Sequence, residues 1–129
     1  MKKEFADKLT PEQREILVDK GTEMPFSGKY LHHSEKGVYA CAACGTKLFT
    51  SDSKYESKQL GLQGWPSFAD VAASDAIELT HDYSYGMDRV EAVCKTCGGH
   101  LGHVFDDPSS PSGQHYCINS EALNFEKKK

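Results

Sequence analysis

Hydrophobic positions in this chain come in short runs, not long stripes. The first that reads as an element is LTPEQREILV, where Thr10 can cap a helix, Pro11 suits its first turn and Gln13 stands where a capping box wants Glu or Gln. With Gly21 as a stop, this predicts a short helix over roughly residues 11–19, a clasp over the rest. The texture then changes. Runs at 37–40, 46–50, 77–80, 88–93, 103–105 and 115–119 are rich in Val, Ile, Tyr and Phe, and glycine or polar turns separate them. Each is too short for a helix and suits a strand. Loops are predicted at GLQGWPSF (61–68) and DDPSSPSG (106–113), and the closing EKKK (126–129) reads as a solvated tail. The pattern predicts a mainly β, antiparallel architecture with a short N-terminal helix. No internal repeat is visible.

Composition narrows this picture. A length of 129 residues suits one domain, here taken as 1–129 with an ordered part near 9–125. Only 38% of residues are hydrophobic and 26% are charged, so the core is lean and a structural metal would reinforce it. The formal net charge of −4 argues against an electrostatic grip on nucleic acid or on acidic membranes. No apolar run has the length of a leader or a membrane span, so a cytoplasmic protein is expected. In a reducing compartment, spaced cysteine pairs point to metal or redox chemistry before disulfides.

Four of the five cysteines form two such pairs, Cys41/Cys44 in CAACG and Cys94/Cys97 in CKTCG. Two intervening residues let a tight turn aim both sulfurs at one ion, and the following glycine permits the positive φ that the turn needs. About fifty residues separate the pairs, so a shared zinc would close a long loop. The competing reading is a redox-active CxxC, but neither motif opens a helix inside a βαβ unit. A zinc ion with four thiolates has no open position and would hold the fold without doing chemistry.

The fifth cysteine, Cys117 in HYCINS, has no partner. It reads either as a small buried hydrophobe or as a reactive thiol. Strand alternation over 115–119 favours the second, because it puts His115, Cys117 and Asn119 on one face. Upstream, HLGHVFDD supplies His100 and His103, imidazoles able to tune a thiol or deliver a proton, unless they are ordinary surface or core-edge residues. Asp106 and Asp107 either orient those rings or cap the next turn. Trp65, the only tryptophan, sits in the loop GWPSF as a core anchor or as an aromatic wall for a small apolar group.

GWPSF, CGGHLGHVFDD and YCINS, interleaved with the two CxxCG pairs and preceded by PFSGKY and CGTKLF, resemble the B-type methionine sulfoxide reductases across nearly the whole chain. The resemblance implies a tent-like fold of two antiparallel sheets, with a structural zinc on Cys41, Cys44, Cys94 and Cys97 opposite the active site. It implies reduction of the R epimer of methionine sulfoxide, in oxidised proteins or as the free amino acid. In that reading Cys117 is the nucleophile and Asn119 orients the site. His100 and His103 lie around the sulfoxide oxygen, and Trp65 receives the methyl group. The enzyme would be a monomer, regenerated by thioredoxin or by glutathione and glutaredoxin.

The chain departs from the family at two places. The resolving cysteine that often precedes GWPSF is Gln63 here, so a one-cysteine cycle through a Cys117 sulfenic acid is expected. The arginine that commonly opens RYCINS is His115, from which a stronger pH dependence of activity between pH 6 and 9 is expected. The main rival is a zinc-stabilised β module that binds a protein partner.

Overall fold

The computed structural model describes residues 1–58, 61–83, 86 and 88–128. Two helices come first, α1 (Lys3–Ala6) and α2 (Pro11–Leu17). The strands are β1 (Gly37–Cys41), β2 (Lys47–Thr50), β3 (Lys54–Tyr55), β4 (Ser67–Phe68), β5 (Ile77–Asp82), β6 (Arg89–Cys94), β7 (His100–Asp106), β8 (Gln114–Ile118) and β9 (Leu123–Lys127). They form two antiparallel sheets, ordered β2-β1-β9 and β3-β4-β8-β7-β6-β5. The expectation of a mainly β fold in two antiparallel sheets therefore holds.

Between the sheets Phe49 of β2 stacks on Phe68 of β4 with ring centroids 4.3 Å apart, and Tyr39 of β1 meets the same ring edge-on. Leu48, Leu101, Ile118 and Leu123 complete a core with no exposed surface. The capping box of α2 is present: Gln13 N–H donates to Thr10 Oγ1, and Thr10 N–H donates to the Gln13 side chain. Its buried residues Ile16 and Leu17 hold the helix against β7 and the 3-10 turn Ser120–Ala122. The helix ends at Leu17, two residues early, and the left-handed residue beyond it is Lys20 (φ +59°), not Gly21.

Three strands lacked a sequence signal. β3 and β4 are only two residues long, and β4 lies inside the segment read as the loop 61–68. β9 runs to Lys127, into the expected tail, because its backbone pairs residue by residue with β1 from Cys41↔Leu123 to Gly37↔Lys127. Lys128 N–H donates to Lys36 O, and Lys129, the last tail residue, lies outside the described residues.

Candidate active site

The two CxxC turns join the sheets, since Cys41 ends β1 in the small sheet and Cys94 ends β6 in the large one. In each turn the glycine takes positive φ, +81° at Gly45 and +79° at Gly98, and its N–H donates to the first cysteine's carbonyl. Glycine is needed there, as the motif implied. The four sulfurs lie within 4.8 Å of one another, with Cys41–Cys97 at 3.7 Å and Cys44–Cys94 at 3.6 Å. That is too far for disulfides, about 2.0 Å, and close to the ~3.8 Å edge of a tetrahedron of thiolates around zinc. Cys41, Cys94 and Cys97 are buried and Cys44 is half-buried. The donor set and spacing fit a tightly held ion, and none of the four lines the cleft around Cys117.

Cys117 lies on β8, opposite His103 of β7 and Ser67 of β4. It opens into a cleft of about 160 Å³ lined by Trp65, Gly102, His103, Phe105, Arg89 and Asn119, among others. A Cβ on Gly102 would come 2.0 Å from Cys117 O, so only glycine lets the two strands pair this closely. Burial pushes the Cys117 thiol up to about 12, and the Glu23 carboxylate adds to the effect. Glu23 is itself raised by burial.

His100 and His103 are three apart, and a regular strand would point them to opposite faces. The β6–β7 register resolves this: Glu91 pairs with His103 and Ala92 with Gly102, but Val93 pairs with His100. Leu101 is the extra residue of a bulge and turns into the core, which returns His100 to the face that carries His103 and Cys117. The two rings then stand 5.4 Å apart, near edge-on.

Each imidazole is held by a carboxylate from the neighbouring strands. His100 Nδ1–H donates to Glu91 Oε2 at 2.6 Å, and His103 Nε2–H donates to Asp82 Oδ2 at 2.8 Å, an oxygen that also accepts from Arg89. Sequence reasoning had offered Asp106 and Asp107 for this task. Neither touches these rings in the structure; Asp106 meets Gln114, and Asp107 turns to a different histidine. Glu91 and Asp82 were missed because strand pairing alone brings them there. Burial lowers the His100 pKa despite Glu91, so the ring is neutral near pH 7, and its buried Nε2 has no protein partner among the described residues.

Asn119 sits just past the end of β8. Its backbone N–H and its Nδ2–H both donate to Leu101 O at 3.0 Å, so it braces the bulge. Its Oδ1 accepts from Glu23 N–H, and Glu23 O accepts from the Trp65 indole at 2.9 Å. Asn119, Glu23 and Trp65 thus form one chain of contacts along the cleft. Trp65 is half-buried, its polar edge tied down and its ring lining the cavity.

His115 shares Cys117's face but is wholly buried, with Nδ1–H donating to Asp107 Oδ2 at 3.2 Å. Asp107 also accepts from Tyr55, Ser57 and Ser109. Burial raises the Asp107 pKa, but these bonds outweigh it and hold the carboxyl well below the usual range. For His115 burial outweighs Asp107 and the pKa falls. A buried ring resists charging, so His115 titrates below its ordinary 6.5.

A cysteine in a cleft beside a carboxylate-held imidazole, in a β fold whose two sheets meet at four clustered cysteines, is an arrangement suited to thiol chemistry. Residues 9–127 match the SelR domain family. Over 122 residues the chain is 57% identical to the peptide methionine sulfoxide reductase MsrB of Methanosarcina barkeri, covering 95% of this chain and 83% of that protein. It is 50% identical to the protein of the same name from Leptospira interrogans, covering 96% and 92%. It is 52% identical to the mitochondrial methionine-R-sulfoxide reductase B3 of Mus musculus, covering 95% of this chain and 47% of that longer protein. The chain belongs to the SelR family, the B-type methionine sulfoxide reductases. Among solved structures, the Mis18 Yippee-like domain shares the fold at a TM-score of 0.55 and 17% identity, covering 74% of this chain and 99% of that one.

Proposed function

We propose that this enzyme reduces the R epimer of methionine sulfoxide in peptides by direct attack of Cys117 Sγ on the sulfoxide sulfur. The observation that carries this reading is the bulge at Leu101, which puts His100 on the sheet face of His103 and Cys117, the latter two lining a cleft walled by Trp65. A cavity of about 160 Å³ suits one side chain, not a large ligand.

The balance of the step is simple. Cys117 thiol plus sulfoxide gives Cys117 sulfenic acid plus thioether: two electrons pass from the thiol sulfur to the sulfoxide sulfur, and the oxygen moves the other way. The resting thiol, pushed up to about 12, brings its own proton. His103, held through Nε2–H by Asp82, relays that proton to the sulfoxide oxygen as the sulfur–sulfur contact forms. Neutral His100 presents its Nε2 lone pair and orients the oxygen's proton. Trp65 receives the S-methyl group by sulfur–aromatic contact, which fixes the hand of the sulfoxide.

In this reading zinc is the resident ion of Cys41, Cys44, Cys94 and Cys97, and it contributes stability alone. With Gln63 exposed at the usual resolving position, an external thiol reduces the sulfenic acid, first to a mixed disulfide with loss of water and then to the free thiol. Thioredoxin or glutathione with glutaredoxin fits that role, acting on a monomer.

The test is dithiothreitol-driven turnover of the separated epimers by wild type and Cys117→Ser. Turnover of the R epimer alone, lost in the variant, is expected. Equal use of both epimers, or an active Cys117→Ser, would overturn the proposal. Mass spectrometry after one equivalent of substrate should find oxidised Cys117 with no bond to another cysteine of the chain.

A further inference from the structure

Beside the Cys117 cleft lies a second cavity of about 260 Å³, and Trp65 lines both. Its other walls are mixed: the apolar side chains are Phe26, Leu31 and Tyr55, and Ser67 is joined by polar His32 and Glu56 among others. Ser67 is the register partner of Cys117, which puts this wall about 5 Å from the Cys117 backbone.

Phe26 is out of place by any folding criterion. The residue is 66% exposed, and its φ is +65°. It occupies the third position of the turn Met24–Ser27, closed by Ser27 N–H to Met24 O with Pro25 at the second position. A positive φ at that position ordinarily selects glycine or asparagine. The backbone there is nevertheless locked. Phe26 N–H donates to Gly64 O at 2.7 Å, the Trp65 indole donates to Glu23 O, and Gly64 lies so close to Pro25 that a Cβ would come 2.6 Å from its ring carbon. The strap that carries Phe26 and the loop that carries Trp65 are therefore one rigid rim. An exposed aromatic ring on left-handed backbone, where glycine would fit better, contributes little to the fold and is placed for a contact outside it.

We infer that Phe26 and this cavity bind the polypeptide around the oxidised methionine, receiving an apolar side chain two residues away from it. This rests on the sulfoxide-reductase reading above. In an extended substrate, side chains two apart point the same way at a spacing of about 7 Å. With the sulfoxide at Cys117, that next side chain falls on the far side of Trp65, between Phe26 and Leu31. The neighbouring residue in between points away. Free methionine sulfoxide cannot reach this second cavity, so the class of substrate it selects is an unfolded or extended segment with a large apolar residue near the oxidised site.

The test compares kcat/KM for two blocked pentapeptides with a central R-methionine sulfoxide, carrying Phe or Gly at both outer positions. Whole zinc-loaded enzyme is used with dithiothreitol as reductant. Wild type should prefer the Phe peptide, and Phe26→Gly should lower that preference about fivefold, the factor that ~40 Å² of lost apolar contact is worth. Because glycine suits the left-handed backbone, the variant should melt no lower than wild type, which separates lost contact from lost fold. Leu79→Ala, at an exposed position on β5, should keep the wild-type ratio. An unchanged ratio in Phe26→Gly would overturn the inference. Failure of wild type to reduce either peptide would instead remove the functional reading on which it stands.

Discussion

Replacing Asn119 by alanine tests the bulge together with the Glu23–Trp65 contact that the same side chain holds. The substitution removes two hydrogen bonds of 3.0 Å, Nδ2–H to Leu101 O and Glu23 N–H to Oδ1. Leu101 O keeps the backbone donor of residue 119, so it loses one partner of two. The first loss costs about 1 kcal/mol, and the second about the same, since Glu23 N–H is only partly buried and water can reach it. A destabilisation of ~2 kcal/mol should lower Tm by about 8 °C for a chain of this length. The effect on chemistry should be larger than that modest loss suggests. Once the bulge slackens, His100 is free to swing off the Cys117 face, and losing one positioned acid–base group costs at least about tenfold in kcat. Assays at 20 °C, far below the melting range, separate the two effects. Asn119→Asp retains an acceptor for Glu23 N–H but sets a carboxylate against Leu101 O, so it should be at least as damaging. If both variants keep kcat within twofold of wild type and melt within 2 °C of it (roughly 0.5 kcal/mol), Asn119 does not brace the bulge.

On the proposed zinc reading, chelation of the ion or Cys94→Ser should cost at least ~5 kcal/mol and abolish cooperative unfolding, read by calorimetry alongside a zinc assay; an unchanged melting curve would refute the clamp. Gly102→Ala forces a Cβ to 2.0 Å from Cys117 O, so β7 and β8 must part by about 1 Å, at a cost of ~2–3 kcal/mol with a fall in kcat. A variant with wild-type Tm and rate would contradict that contact. Burial lowers the pKa values of His100 and His115, so below pH 6.5 the unfolded chain binds more protons than the native one. Their contribution to stability is complete above pH 6.5 and is lost as pH falls through the folded-state values. Asp107, also depressed, adds its loss only below its ordinary 3.8. Urea midpoints should therefore drop between pH 7.5 and 5, less so in His115→Gln, and a flat profile would refute the burial argument.

Much of this protein could be read along the chain, wherever the cause was local. The capping box at Thr10–Gln13 needs only residues three apart, and the CxxCG turns need only a short loop with one residue at positive φ. Both appear as expected. Six of the strands announced themselves through β-branched and aromatic runs, whereas β3 and β4 have two residues each and exist only because neighbours supply hydrogen bonds.

The candidate site was legible as a set of residue types and not as an arrangement. Spacing alone would have put His100 and His103 on opposite faces, and the slip between Ala92 and Val93 that reunites them is a property of two paired strands. The carboxylates were misassigned for the same reason. Asp106 and Asp107 are near in sequence, but Glu91 and Asp82 reach the rings across β6 and β5. His115 was visible as a departure from its relatives, yet its behaviour depends on burial, which no window of sequence contains.

By itself, then, the sequence determined the paired cysteines, the local turns and the family, because these depend on residue identity at short range. The tertiary structure decided which carboxylate holds which histidine, where the bulge falls and that Phe26 stands exposed, because those depend on register and on contacts between residues far apart along the chain.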